Sequence, residues 1–192
     1  KCFGYHVRAV SLFGAMPRPK TVLARDKTSV PYAVGDYYND GERDGVVFEV
    51  RAGGRHGKIV SMCEPSQALR WGENNKLFAG CKSKSRGDKN SKTITYFSDF
   101  ENKFPALAWC MSLGEGWYLP AIEELVVIYL NRVAINAGLA NQKLKDSYWS
   151  STEIKKDPYP QYREHNISAW YIDMDDGSFS YHYKSSSNGV RA

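Results

Sequence analysis

A chain of 192 residues, 42% hydrophobic and 24% charged, can bury a real core and falls outside the disordered class. Its formal charge of +5 comes from interspersed acidic and basic residues rather than one basic face, which argues against nucleic acid as a partner. No run approaches the roughly 18 apolar residues of a membrane span. Aromatic residues reach 14%, including 13 Tyr and 5 Trp, types favoured in irregular cores and at recognition surfaces.

In chain order, Lys1-Cys2 opens inside strand-like sequence, which points to a trimmed N-terminus and leaves the question of a leader open. Val7-Arg8-Ala9 recurs as Val190-Arg191-Ala192. Chance explains a three-residue match. Two further readings are a tandem array and a pair of edge strands that open and close the domain. The second predicts that residues 5–13 pair with the segment ending at Ala192. Residues 14–35 carry Pro17, Pro19 and Pro31 and read as a connector. The domain proper is expected over 31–192, behind an N-terminal strand and connector over 1–30.

Gly45–Val50 and Lys58–Met62 read as strands joined through Gly53-Gly54-Arg55-His56-Gly57, with His56 a turn residue rather than a ligand. Residues 82–92 hold Lys82, Lys84, Arg86, Lys89 and Lys92 among Ser, Gly and Asn, the composition of a solvated loop. The Arg86-Gly87-Asp88 tripeptide inside it reads as coincidence. A helix is expected from about Pro105 to Leu113, stopped by Gly114. Another is expected from Pro120 to about Asn131, with Glu123 and Glu124 at the positive end of its dipole. The last third returns to strands at 148–152, 169–174, 178–183 and 189–192, with Asp175-Asp176-Gly177 as a tight turn. Trp117 and Trp149 are placed in the core.

Candidate chemistries are sparse. The four cysteines have no metal-like spacing. Cys110 reads as a buried thiol, and Cys63 with Cys81 is one of the open disulfide connectivities. Asp173, Asp175 and Asp176 fit a turn better than a calcium loop, which would need a Gly and a distal Glu at set spacing. Adjacent Glu123 and Glu124 point about 100° apart on a helix and cannot serve one substrate as a pair. Ser150 and Ser151 lack the Gly-x-Ser-x-Gly elbow of a serine nucleophile. His6, His56, His165 and His182 are scattered. No catalytic residue, metal or cofactor is assigned.

The ladder Gly116-Trp117-Tyr118-Leu119-Pro120, Tyr148-Trp149-Ser150-Ser151-Thr152-Glu153, Ala169-Trp170-Tyr171, Asp176-Gly177 and Val190-Arg191 resembles a bacterial domain family. It includes the C-terminal domain of the Lcl collagen-like adhesin and the "major paralogous domain" repeats. Gly35-Asp36-Tyr37-Tyr38, Gly45-Val46-Val47-Phe48 and Gly57-Lys58-Ile59-Val60-Ser61 look like the matching front half in paralogues. The resemblance implies an α+β, C-type-lectin-like fold with mostly antiparallel strands, two main helices, and adjacent first and last strands. It also implies exposure at the cell surface or outside the cell, tandem copies in some members, and a binding role.

Two departures narrow that role. Formylglycine-generating enzymes of this fold use a late cysteine pair, and no cysteine follows Cys110. The Glu-Pro-Asn and Trp-Asn-Asp motifs of calcium-dependent lectins are missing too, since Glu64-Pro65 is followed by Ser66. The expected function is therefore non-catalytic adhesion to a glycan or a host or bacterial surface protein. The expected contacts are Tyr162, His165, Asn166, Tyr181, His182, Tyr183 and Asn188, since recognition loops favour Tyr, His, Asn and Ser. The alternatives are a structural repeat with no ligand of its own and, behind it, an enzyme. On β alternation Phe179, Tyr181 and Tyr183 should face inward, leaving His182 exposed.

Overall fold

Consecutive apolar residues at Val46, Val47 and Phe48 break simple alternation, and the architecture explains why. In the computed structural model, which describes residues 9–13, 31–73, 79–154 and 168–186, the first sheet is buried on both faces. Its strands are β1 (Val10–Phe13), β2 (Tyr37–Asn39), β3 (Asp44–Arg51) and β4 (His56–Ser61), all antiparallel in the order β1-β4-β3-β2. Val47 and Ile59 enter one core with Trp71, Phe104, Leu107, Trp117 and Trp149. Val46, Phe48 and Val60 enter a second with Leu125, Ile128, Ile135, Tyr148 and Ile172. The β3–β4 register slips between Val47 and Glu49, so a bulge leaves Phe48 without a direct partner on β4.

The second sheet has the order β5-β6-β7, from β5 (Ser147–Glu153), β6 (Ser168–Asp173) and β7 (Phe179–Tyr183), again antiparallel. The Gly-Trp-Tyr-Leu-Pro segment ties the sheets together. Val10 and Tyr118 exchange two backbone hydrogen bonds of 2.9 Å, and Ser151 N donates to Pro120 O at 2.8 Å. Along that segment Trp117 and Leu119 point into the first core and Tyr118 into the second.

Between β4 and β5 the chain forms α1 (Gly87–Ile94), α2 (Phe100–Lys103), α3 (Pro105–Ser112), α4 (Ile122–Leu130) and α5 (Arg132–Gly138). α3 begins on Pro105, as its fixed φ suits. Gly114, at φ 124°, follows its end. α4 starts two residues after Pro120, with Glu123 and Glu124 in its first turn.

Several expectations change. Residues 82–92 are not one solvated loop: helix α1 begins at Gly87, because Gly87, Asn90, Ser91 and Ile94 form a buried stripe that the basic residues conceal in sequence. α2 and α5 were not expected, being too short for a periodic signal. Cys63 does not bridge Cys81. Cys63 is disulfide-bonded, while Cys81 and Cys110 are buried and take part in no disulfide. Phe179 shares the face of core residue Ile172 but is not buried there, being 60% exposed, and His182 is half-buried rather than open. The expected pairing with the chain end falls on residues 187–192, outside those described. Within them, Val10–Phe13 pairs with β4.

Candidate functional site

The buried charges are the first place to look for chemistry, because an unpaired one would be costly. Glu124, three residues into α4, turns back so that Oε2 accepts Ala121 N at 2.8 Å and Gly87 N at 2.9 Å. Its Oε1 accepts Tyr118 Oη at 3.0 Å and Lys58 Nζ at 2.7 Å. Lys58 also lies 3.2 Å from Glu49. One carboxylate thus caps two helix starts and holds β4. Burial, with the Glu124 charge beside it, pushes the Tyr118 phenol far above its ordinary range.

Glu153, ending β5, forms the second centre. It accepts Ala79 N at 2.9 Å and Cys81 N at 2.7 Å, and it pairs with Lys184. The Lys184 ammonium stands 4.7 Å from the centroid of Trp71, whose indole donates to Ser150 O at 2.8 Å. Burial pushes this ammonium below the usual lysine range while Glu153 pulls it back up. Burial next to Glu153 raises the Cys81 thiol well above a reactive value. At the other end of β5, Tyr148 Oη donates to Glu64 at 3.1 Å. Each of these groups is consumed by structure. Among the described residues no group of three His, Cys, Asp or Glu side chains could hold a metal ion, and no helix is long and apolar enough to cross a membrane.

The Arg86-Gly87-Asp88 tripeptide is closed on itself. Arg86 Nε and Nη2 donate to the two Asp88 oxygens at 2.7 and 2.6 Å. Gly87 is pressed so tightly on Leu119 O that a Cβ would lie 2.4 Å away. This geometry leaves no splayed Arg and Asp for a receptor to read.

The Trp170 face of β6–β7 behaves differently. Cross-strand register sets Trp170 opposite Tyr181 and Ile172 opposite Phe179, so these four side chains share a face. Ile172 is in the core, yet Phe179 stands out in water. Trp170 packs on Phe179 at 5.9 Å between centroids and 58°, and on Tyr181 at 5.9 Å and 84°. The adjoining turn is well determined: Asp173 Oδ1 accepts Asp175 N at 2.8 Å and Asp176 Oδ1 accepts Ser178 N at 2.7 Å. Gly177, at φ 78°, lies against Tyr129, whose ring carries Arg132 at 4.1 Å.

Of the residues expected to bind ligand, Tyr181, His182 and Tyr183 lie together on β7, all half-buried. His182 pairs with Ala169 on the opposite face, its ring 6.0 Å from Tyr183. Tyr162, His165, Asn166 and Asn188 lie outside the described residues. Sequence reasoning missed Trp170 and Phe179. The available signal was Phe179 directly after an Asp-Gly turn, where an edge strand runs past the core.

Among the described residues, two antiparallel sheets sharing two cores, helices packed against them, and interior charges spent on helix starts and strand ends define an α+β domain. The chain belongs to the Lcl C-terminal domain family, whose model matches residues 62–192. The match thus begins just after β4. No curated protein matches the chain.

Proposed function

We propose that this chain is a non-catalytic recognition domain displayed at a bacterial surface or outside the cell, with a C-type-lectin-like fold, binding a glycan or a surface protein. Membership of a domain family associated with an adhesin supports the surface role. The disulfide at Cys63 fits an oxidising compartment. The engagement of Glu124, Glu153 and Lys184 within the fold supports the non-catalytic reading.

The observation that carries the binding role is Phe179, 60% exposed on a hydrogen-bonded strand and propped by Trp170. An aromatic held rigidly in water contributes little to folding and is ready to bury area on a partner. The contact surface is assigned to this face together with the β7 residues Tyr181, His182 and Tyr183 and the flanking Tyr162, His165, Asn166 and Asn188.

The test is adhesion. The whole chain, labelled, is applied to fixed bacterial and animal cells beside an unrelated protein of equal charge. Saturable retention on one cell class is expected, reduced by Phe179→Ala. Retention no greater than that of the control on every surface would sink the recognition role.

A further inference from the structure

We infer that the Trp170–Phe179 face of β6–β7, where it extends past the core, takes an uncharged glycan, one sugar ring lying on Phe179 beside Trp170, with Asp175 accepting a hydroxyl hydrogen. This rests on the recognition reading above and names its ligand class.

Three observations favour an uncharged sugar over other partners. The rings are braced before any ligand arrives. Trp170 touches both Phe179 and Tyr181, and their strands are paired residue by residue, so little side-chain freedom remains to be lost on binding. A preorganised aromatic surface with a few convergent polar groups matches the C–H faces and hydroxyls of a pyranose.

The local charge then narrows the choice. Residues 168–183 contain Asp173, Asp175 and Asp176 and neither Lys nor Arg, although the chain as a whole carries +5. A sulfated or carboxylated ligand would be repelled here. Arg132, packed on Tyr129 behind the turn, already donates to the Tyr129 carbonyl at 3.3 Å.

The carboxylates finally divide their roles. The Asp173 carboxylate accepts Asp175 N and Ser147 Oγ, and Asp176 accepts Ser178 N. The exposed Asp175 carboxylate accepts no hydrogen bond among the described residues. Borne on the turn that leads into β7, four residues before Phe179, it is available for a charge-assisted bond from a sugar hydroxyl. The turn that bears it is fixed from below by Tyr129, since a Cβ on Gly177 would lie 2.4 Å from that ring.

The experiment uses the whole chain on immobilised neutral glucan, mannan, xylan and chitin oligosaccharides, with dextran sulfate and polylysine as charged comparators. Phe179→Ala, Asp175→Asn and the paired Lys89→Ala and Lys92→Ala variants are run alongside, each checked for an unchanged thermal midpoint. Retention on at least one neutral oligosaccharide is expected, with the lysine variant unaffected. Phe179→Ala should weaken it at least about tenfold, the scale of losing one stacked ring, and Asp175→Asn should weaken it less. Neutral-sugar binding that ignores Phe179→Ala would overturn the assignment. So would retention on dextran sulfate or polylysine alone, or adhesion to cells without any neutral-sugar binding. In each of these cases the recognition role itself survives. Loss of cell adhesion altogether removes both.

Discussion

Strands β5 and β7 are written in similar residues and meet opposite fates. β5 reads Ser-Tyr-Trp-Ser-Ser-Thr-Glu and is buried from Tyr148 onward; β7 reads Phe-Ser-Tyr-His-Tyr and has no buried residue. The difference is what lies on each side. β5 has the first core on its Trp149 face and the second on its Tyr148 face. β7 lies beyond β6 and past the edge of the helices, so its apolar face outruns the core. Aromatic content alone therefore says nothing about burial. It supplies core material at one edge of this sheet and an exposed ring at the other.

The sharpest way to break that comparison is to empty both strands. Trp149→Ala should cost roughly 3–5 kcal/mol, the range for a buried large aromatic. Phe179→Ala should stay within about 0.5 kcal/mol, as exposed changes do. Urea unfolding of both variants reads the contrast, and equal losses would show that β7 belongs to the core after all.

A second experiment asks what the buried charge at the end of β5 contributes. Lys184→Met strands the Glu153 carboxylate and should cost about 3–5 kcal/mol. Adding Glu153→Gln removes the unpaired charge while keeping an acceptor for a backbone N–H, so much of the loss should return. If the double variant were less stable than Lys184→Met, the pair would not be coupled as its geometry requires.

The smallest expected effect concerns α1, which packs against β5. Its neighbour Arg86 holds the Asp88 carboxylate below the usual aspartate range, chiefly by hydrogen bonding. A depressed folded-state value means stability present above the unfolded aspartate pKa and lost as pH falls through the folded one. Arg86 is well exposed, so the difference between wild type and Asp88→Asn should be at most about 1 kcal/mol at neutral pH. It should vanish in strong acid, and an acid-unfolding series reads that convergence.

The local elements were legible where their signals were local. The β3–β4 hairpin follows from two apolar runs around a Gly-rich tip. Pro105 marks the start of α3. The Asp-Asp-Gly turn joins β6 to β7 as its residues demand, and Trp117 and Trp149 are buried as their neighbours suggested. Helix α1 was hidden because its buried stripe is Gly, Asn, Ser and Ile, held by hydrogen bonds rather than by hydrophobic periodicity. The Glu124 centre was half legible. The helix-start role could be read from position, but its bond to Lys58 spans 66 residues. Alternation put Phe179 and Tyr181 on the face that holds Ile172, but it could not show that the core beneath that face ends before Phe179.

What the amino-acid sequence determined by itself was the kind of object: an α+β domain, its turns, its large buried tryptophans and its family. Those follow from backbone preferences and hydrophobic content, which act within a few residues. Which carboxylate meets which lysine, which cysteine stays reduced and which aromatic remains in water were decided by tertiary structure alone. Each depends on segments tens of residues apart arriving at one place, and the free energy of burial belongs to that assembled neighbourhood rather than to any residue within it.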